Sequence, residues 1–350
     1  MTNAPYAFSP DWRRAAEAVR GCPVHAPTPL RRIDIDGVGV LVKNESERFG
    51  IGSFKALGGV YAVLDAARDR YAELDGERPP TAALLETERR ESRAALTFVC
   101  ASAGNHGIAV ATGAALIGAR ARIHLSAEVP EDFAARLRAR GAEVVRSGRT
   151  YEESLDGARR DAEDDDAARL IADTAWTGYV EVPARIMEGY TVIGEELRAA
   201  FERHGRWPSE VYLQAGVGGL AGAMTWTIRH RWTVQPRIVI VEPEAAPCLA
   251  RSAEIGEPAT VEGPVSTMGR LDCKTASPLA VDALADASVD YLAVDDAAAE
   301  AAAAMLAEHG IATTPSGAAG LAGWRIERGR GSTVGETPLV IVSEEALGSD

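Results

Sequence analysis

The stretch Ser53-Phe54-Lys55-Ala56-Leu57-Gly58-Gly59 is the most informative part of this sequence. Residues 50–53 read as a loop and the residues after Lys55 read as a helix, so the pattern predicts a lysine at a helix start. Two further segments follow along the chain: Ser102-Ala103-Gly104-Asn105-His106-Gly107 and Ala215-Gly216-Val217-Gly218-Gly219-Leu220. Each segment alone is a weak signal, but the three in this order indicate one kind of binding site.

Around these segments, apolar runs rich in strand-forming residues alternate with helical patterns. Short apolar runs bounded by turn signals predict strands, and the longer alanine-rich or amphipathic stretches predict helices. This alternation predicts an α/β fold with mostly parallel sheets. The predicted strands are residues 96–100, 121–125, 142–145, 210–214, 237–241 and 338–342, and the predicted helices include residues 107–116 and 130–140.

Three other stretches carry structural signals. Residues 67–95 are polar and contain Pro79-Pro80, so we interpret them as an insertion or a linker between two lobes. Residues 161–166 hold five acidic side chains in six positions, which is typical of a solvated face or loop. The pair Asp295-Asp296 precedes a run of alanines and predicts the N-cap of a helix.

Lys55 has the setting of a lysine that forms a Schiff base. Desolvation in a shielded pocket would lower its pKa, so that the free amine could act as nucleophile and base. The competing interpretation is a surface lysine in the first turn of a helix, which a Ser-Phe-Lys sequence alone would favour.

The turn Gly104-Asn105-His106-Gly107 lies between a predicted strand and a predicted helix. Because helix N-termini present free backbone N–H groups and a positive dipole, a substrate carboxylate could dock there, beside Ser102 and His106. The Asn105 amide could donate to a ring oxygen of a bound cofactor. The alternative is an ordinary turn, in which Asn105 is left-handed and His106 packs in the core.

The glycine-rich segment follows a predicted strand and opens a helix, so its backbone amides could surround a phosphate. The candidate residues are Gly216, Val217, Gly218, Gly219 and Leu220. A dinucleotide site competes, but the strict G-x-G-x-x-G pattern requires glycine at 221, where this chain has Ala221, which only a looser pattern allows. Together, the lysine, the Gly-Asn-His loop and the phosphate loop are the parts needed to hold pyridoxal phosphate (PLP).

Composition sets limits on function. The 350 residues, 46% hydrophobic and 25% charged, predict a globular protein of one large or two medium domains. The net charge of −14 argues against nonspecific binding to nucleic acid and against a basic membrane-surface role. An anionic cofactor must therefore be held by local donors.

The cysteines and the apolar runs indicate a cellular location. The four cysteines form no C-x-x-C pair and no cluster with zinc spacing, so no metal site is predicted. The N-terminus has no secretory pattern, and no run approaches ~18 apolar residues, so we expect a cytoplasmic protein. Cys248 and Cys273 could pair under oxidation, although two reduced thiols are the ordinary state in a cytosol.

Taken together, these residues resemble the fold type II PLP enzymes, a group that includes threonine dehydratases, serine racemases and tryptophan synthase β chains. One branch matches further, the diaminopropionate ammonia-lyases, and its most specific segment here is Asp173-Thr174-Ala175-Trp176-Thr177-Gly178-Tyr179. The other matching segments are Lys43 to Gly50, Pro183, Ile186-Met187, Gly189-Tyr190, Gln214 to Gly219, Val241-Glu242-Pro243 and Met268 to Cys273.

The resemblance implies two lobes, each with a mostly parallel sheet flanked by helices, and a homodimer as the working form. The large cofactor-binding lobe would combine residues 1–89 and 186–350, and the small substrate-side lobe would span residues 90–185. Lys55 would be the Schiff-base lysine, Asn105 would contact the ring oxygen, and Ser343 would contact the pyridine nitrogen. A serine there cannot protonate the ring as a carboxylate would, which favours loss of a β-substituent over transamination.

The resemblance also implies α,β-elimination from a β-substituted L-amino acid, with conversion of L-2,3-diaminopropionate to pyruvate and ammonia as the expected reaction. Lys55 would remove the α-proton, and Asp173 would bind the distal ammonium of the substrate by charge pairing. The alternative for Asp173 is a structural cap of a helix or turn. The chain departs from the ammonia-lyases at Ala103, where they carry an aspartate that transfers a proton on the opposite cofactor face. We therefore expect action on L-substrates only.

Other functions stay open. An L-serine or L-threonine dehydratase is favoured by Ser102-Ala103-Gly104-Asn105-His106, which threonine dehydratases share. A β-replacement synthase would trap aminoacrylate with a second nucleophile. A PLP-binding protein without catalysis would need fewer of these residues, and a nicotinamide oxidoreductase fits them least.

Overall fold

The computed structural model describes residues 6–86, 96–331 and 337–346. Ten strands in this part of the chain form two sheets with helices around them. The larger sheet has the strand order β1-β2-β10-β7-β8-β9, in which β1 pairs antiparallel to β2 and the other neighbours are parallel. Its strands are β1 (Leu30–Ile35), β2 (Val38–Asn44), β7 (Glu210–Gln214), β8 (Arg237–Pro243), β9 (Asp290–Val294) and β10 (Pro338–Val342).

The smaller sheet is entirely parallel and has the order β5-β4-β3-β6. Its strands are β3 (Thr97–Ala101), β4 (Arg120–Leu125), β5 (Glu143–Arg146) and β6 (Ala168–Leu170). The α/β fold with mostly parallel sheets is thus confirmed. Because β3, β7 and β10 are buried along their whole lengths, their near-continuous apolar sequences are those of central parallel strands.

Helices cover the sheets and connect their strands, and a short 3-10 helix spans Glu45–Gly50. The helices of the described residues are α1 (Trp12–Arg20), α2 (Lys55–Asp75), α3 (Thr81–Leu85), α4 (Asn105–Ile117), α5 (Glu131–Arg138), α6 (Tyr151–Glu163), α7 (Glu181–His204), α8 (Gly219–Arg231), α9 (Cys248–Ile255), α10 (Pro278–Ala285), α11 (Asp296–Glu308) and α12 (Pro315–Gly329). Among them, none is long and apolar enough to cross a membrane.

The predicted elements agree with the structure in most places. The strands predicted at residues 210–214 and 338–342 have the observed bounds, and Asp295 caps α11 by accepting a hydrogen bond from the Ala298 amide at 2.7 Å. The linker predicted at residues 67–95 is wrong over its first part, because α2 continues to Asp75. Its polar residues lie on the outer face of a helix whose inner face includes the buried Ala67, and polarity alone does not separate such a helix from a linker. The end of that predicted linker, residues 87–95, lies outside the described residues.

The acidic stretch at residues 161–166 lies at the end of α6 and in the loop after it. Glu163, Asp164 and Asp166 are exposed, as expected for a solvated face. Asp161 and Asp165 are half-buried instead, and Asp161 pairs with Arg122 and with His124.

The residue ranges of the two sheets can be compared with those of the predicted lobes. Every strand of the smaller sheet lies between Thr97 and Leu170, within the predicted small lobe. The predicted boundary between residues 185 and 186, however, falls inside α7, which begins at Glu181. A loop before that helix is a more physical boundary, because domain boundaries seldom cut a continuous helix.

Candidate active site

Three motif segments begin where strands of the two sheets end. β3 leads into Ser102 and the first turn of α4, β7 leads into the glycine loop before α8, and β10 ends directly before Ser343. In parallel α/β sheets, ligands bind beyond the carboxyl ends of the strands. The sheet topology therefore collects segments that are more than a hundred residues apart in the chain.

Lys55 is the first residue of α2, as predicted. The preceding residues are held by the end of β10, because the Phe54 amide donates to the Ser343 carbonyl and the Glu345 amide donates to the Gly52 carbonyl. Gly52 has φ +84°, a conformation that a residue with a side chain would adopt only with strain. This loop therefore holds the start of α2 beside the end of β10.

The Lys55 ammonium pairs with the Asp173 carboxylate, with Nζ 2.6 Å from Oδ2. The two side chains are 26% and 21% exposed, so the pair is partly shielded from water. Asp173 caps none of the helices in the described residues, and the next helix after it, α7, begins at Glu181 with Val180 as its N-cap. The structure thus brings the predicted Schiff-base lysine and the predicted ammonium-binding aspartate into direct contact.

This contact corrects the expected pKa of Lys55. Burial does lower that pKa, but attraction to Asp173 and the hydrogen bond between them outweigh burial, so the pKa of Lys55 is raised. Burial likewise acts to raise the pKa of Asp173, and the neighbouring Lys55 instead holds it well below its usual range. Asp173 therefore favours the ammonium form of Lys55, which must lose a proton before it can act as a nucleophile.

The loop that carries Asp173 is braced by aromatic residues. The Tyr179 hydroxyl donates to the Leu170 carbonyl and accepts from the Ala172 amide, each at 2.9 Å. The rings of Trp176 and Tyr179 stack with centroids 4.3 Å apart. The most specific segment of the sequence thus serves to hold its aspartate opposite Lys55.

Tyr190 of α7 forms another wall beside the lysine. Its ring meets Phe54 edge to face with centroids 4.9 Å apart, and its buried hydroxyl has no hydrogen-bond partner of normal geometry among the described residues. Burial raises the pKa of Tyr190 to about 12, although the nearby Lys55 acts in the opposite direction. A neutral phenol with an open hydrogen bond therefore faces the site, and nothing in the sequence pattern marked it beyond the match at Gly189-Tyr190.

The glycine loop has the shape of a phosphate cradle. Gly218 has φ +101°, and a Cβ built on it would lie 2.7 Å from the Ala280 Cβ. A Cβ on Gly216 would lie 3.0 Å from the Cys273 sulfur. Space and conformation therefore restrict Gly218 to glycine, and a side chain at Gly216 would require its neighbours to shift.

The amides of this loop are available to a ligand. None of the described residues accepts a hydrogen bond from the backbone N–H of Gly216, Gly218 or Gly219. The Val217 carbonyl accepts a hydrogen bond from the Ser277 amide at 2.9 Å, which fixes that part of the loop. Leu220 is buried in the first turn of α8. Open amides at the start of a 13-residue helix suit a phosphate dianion, so these residues fit PLP.

Asn105 and Ser343, the two residues expected to contact the cofactor ring, lie at the start of α4 and directly after β10. Asn105 is the first residue of α4, in helical and not left-handed conformation, and its Nδ2 donates to Glu344 Oε2 at 2.5 Å. The Ser343 side chain is buried and makes no hydrogen bond to the described residues. Sequence reasoning missed Glu344, although a carboxylate directly after a buried terminal strand was a signal.

Ser102 and His106 are placed differently from each other. Ser102 is half-buried and its Oγ accepts from the Gly104 amide at 3.3 Å, which shapes the turn. His106 is only 3% exposed, and its Nε2 lies 2.7 Å from the Ile171 carbonyl, to which it donates. Burial lowers the pKa of His106, although attraction to Asp173 acts in the opposite direction. This geometry matches the alternative reading of a core partner, and substrate contact by His106 stays a prediction.

Cys248 and Cys273 are free thiols that lie on either side of Gly216. Burial raises the pKa of Cys248 to about 12, so it is a neutral thiol at ordinary pH. A crosslink between the two cysteines is absent here, and pairing under oxidising conditions stays a prediction.

Comparison with known proteins agrees with this geometry. Residues 22–344 match the family described as pyridoxal-phosphate dependent enzyme. A diaminopropionate ammonia-lyase of Escherichia coli K12 is 31% identical over 282 residues, which cover 79% of this chain and 69% of that protein. One of Salmonella typhimurium LT2 is 34% identical over 284 residues, covering 78% and 70%.

A solved structure extends the similarity to the whole fold. The diaminopropionate ammonia-lyase of Escherichia coli, in complex with an aminoacrylate-PLP azomethine reaction intermediate, matches with a TM-score of 0.81 at 27% identity. The match covers 98% of this chain and 90% of that one. The chain therefore belongs to the fold type II pyridoxal-phosphate dependent enzymes, in the family of the diaminopropionate ammonia-lyases.

Proposed function

We propose that the protein eliminates ammonia from L-2,3-diaminopropionate, with pyruvate and a second ammonia as the final products. The observation that carries this proposal is the contact between Lys55 and Asp173, because it sets a carboxylate directly beside the reacting amine. A substrate with a β-ammonium group needs such an anionic partner, whereas the hydroxyl of serine or threonine does not.

PLP, when bound, supplies the electron sink for the α-carbon. Lys55 would hold the cofactor through its side-chain amine, and the same amine would take the α-proton of the substrate. With Lys55 engaged by the cofactor, the Asp173 carboxylate would be the anionic group that binds the β-ammonium of the substrate. The open amides of Gly216, Gly218 and Gly219 hold the phosphate, and Ser343 contacts the pyridine nitrogen.

The alanine at position 103, where the ammonia-lyases carry an aspartate, supports the expected stereochemistry. Ala103 lies directly before the Gly104-Asn105 turn and offers no group that could transfer a proton. Proton removal is then left to Lys55, which acts from one face of the cofactor. We therefore propose that L-substrates react and D-substrates do not.

The testing experiment measures pyruvate from L-2,3-diaminopropionate, its D-isomer and L-serine, and 2-oxobutyrate from L-threonine, each with added PLP. Turnover of L-diaminopropionate alone supports the proposal. Turnover of only serine or threonine would move the protein to the dehydratases, the second candidate, which the Ser102-Ala103 sequence favours. No product from any of the four amino acids would favour a β-replacement synthase.

A variant tests the role of Asp173 separately. Asp173→Asn should raise KM for L-diaminopropionate roughly 10- to 100-fold, the value of a charge-assisted hydrogen bond of about 1.5–3 kcal/mol. KM for L-serine, which has no β-ammonium, should change far less. The exposed Asp156 on α6 provides a matched control, as Asp156→Asn. Equal losses with both substrates would contradict the assignment.

We also propose a cytoplasmic homodimer built of the two lobes given above, with the small lobe ending before α7. The family resemblance supports the dimer, and the four free cysteines suit a reducing compartment. Light scattering of the purified protein would test the dimer, and a monomeric mass would contradict it.

A further inference from the structure

Glu344 connects the segments of the active site, although no motif drew attention to it. It follows Ser343 at the end of β10 and is only 5% exposed. Its backbone forms an antiparallel bridge with Ser53, two residues before the Schiff-base lysine. Its carbonyl accepts a hydrogen bond from the Thr313 hydroxyl. The main chain of this glutamate is therefore fixed from two sides.

The side chain of Glu344 is fixed as well. Oε1 accepts from the Thr314 hydroxyl at 2.5 Å, and Oε2 accepts from Asn105 Nδ2 at 2.5 Å. The guanidinium of Arg270 adds an ionic contact, with Nε 3.7 Å from Oε2. Partners from three separate segments thus hold one buried carboxylate, and each oxygen has a donor.

The hydrogen bond to Glu344 determines which end of the Asn105 side-chain amide faces the glutamate. A side-chain amide has one end that donates and one that accepts, and the two ends are nearly the same shape. A carboxylate can only accept, so Glu344 requires the NH₂ end of Asn105 to face it. The second N–H of the same NH₂ group then remains available on the site side of Asn105, where an ionised ring oxygen needs a donor.

We propose that Glu344 is a positioning residue that sets the orientation of the Asn105 amide, so that an N–H and not the carbonyl oxygen faces the ring oxygen of PLP. This inference rests on the proposed role of Asn105. Without Glu344 the amide could rotate by half a turn and present an acceptor to the cofactor oxygen. Two acceptors would then face each other, which weakens cofactor binding.

The test is a double-mutant cycle on cofactor affinity, with apo-protein titrated with PLP and followed by absorbance. Glu344→Ala should raise the Kd for PLP about 10-fold, or about 1.4 kcal/mol, and Asn105→Ala should raise it similarly. If Glu344 acts through Asn105, the double variant should match Asn105→Ala alone. Glu308→Ala is the control, because that glutamate is exposed at the end of α11 and the substitution should leave Kd within twofold.

A second readout separates positioning from general support of the fold. The pH midpoint of the absorbance change of bound PLP reports on the hydrogen bond to its ring oxygen. It should shift in the same direction and by a similar amount in Glu344→Ala and Asn105→Ala. Glu344→Gln keeps the volume and one acceptor, so it should fold and show an intermediate shift, and it replaces the alanine variant in the cycle if that variant does not fold.

Clear outcomes would overturn the inference. A Kd for Glu344→Ala within twofold of wild type, or effects of Glu344 and Asn105 that multiply in the double variant, would show that the two residues act independently. An unshifted pH midpoint would have the same meaning. Failure of the wild-type protein to bind PLP would instead refute the proposed site, so the two failures are distinguishable.

Discussion

Asp173 should slow the loading of the cofactor, because it keeps Lys55 protonated. Only the neutral amine can attack the carbonyl of PLP, and the Asp173 carboxylate, 2.6 Å from Nζ, stabilises the ammonium form. Asp173→Asn removes that charge while it keeps the volume of the side chain. The variant should therefore incorporate PLP faster than wild type at neutral pH, which is the opposite of the usual effect of an active-site mutation.

The magnitude follows from the geometry. Two unit charges about 4 Å apart attract by about 4 kcal/mol at an effective dielectric constant of ~20. Because the two side chains are 26% and 21% exposed, water screens the pair, and we halve this value to about 2 kcal/mol. That change raises the fraction of neutral Lys55 about 30-fold at any pH well below its pKa. The rate of incorporation should rise by the same factor.

The assay mixes apo-protein with PLP in a stopped-flow instrument and follows the absorbance of the lysine adduct between pH 6 and 9. The wild-type rate should rise about tenfold per pH unit over this range, since the neutral fraction does. Asp156→Asn, an exposed substitution on α6, should behave as wild type. An Asp173→Asn rate equal to or below that of wild type at every pH would refute the reasoning.

Three further predictions concern other parts of the molecule. Gly218→Ala should weaken PLP binding more than tenfold and cost about 2–4 kcal/mol of stability, measured by titration and by urea unfolding, because φ is +101° and the new Cβ would lie 2.7 Å from that of Ala280. Ala103→Asp should create a proton-transfer group opposite Lys55, so pyruvate should appear from D-diaminopropionate; continued silence with the D-isomer would contradict this. Burial raises the pKa of Glu242 from 4.5 to about 7, so the folded protein holds a proton that the unfolded chain releases between these pH values. The free energy of unfolding should therefore fall by up to roughly 3 kcal/mol as the pH rises from about 4.5 to 7. Glu242→Gln should reduce that fall, as measured by urea unfolding at several pH values.

Some features of the site were predictable because they depend on local patterns. The start of α2 at Lys55, the glycine loop before α8 and the terminal strand before Ser343 each follow from apolar runs and turn residues that are contiguous in the chain. A glycine loop between a buried strand and a helix has few conformations open to it, and all of them turn backbone amides outward. Such elements need no knowledge of the rest of the fold.

Other features depended on residues far apart in the chain. The pattern gave no reason to expect a raised pKa at Lys55, since its partner Asp173 is 118 positions away. Glu344 contacts Asn105 across 239 positions, and the open hydroxyl of Tyr190 reaches the site only because α7 packs closely on α2. Desolvation, the one effect that could be argued from sequence, was outweighed by a charge that only folding brings near.

The sequence by itself determined which chemical groups are present and in what order: a lysine at a helix start, an Asn-His turn, a phosphate loop and a terminal serine. These are set by local conformation, which short stretches of chain encode. Only the tertiary structure decided how the groups act on one another, because the carboxyl ends of two sheets meet and bring Asp173 to Lys55 and Glu344 to Asn105. Electrostatic energies depend on separation in space, and separation along the chain carries no information about it.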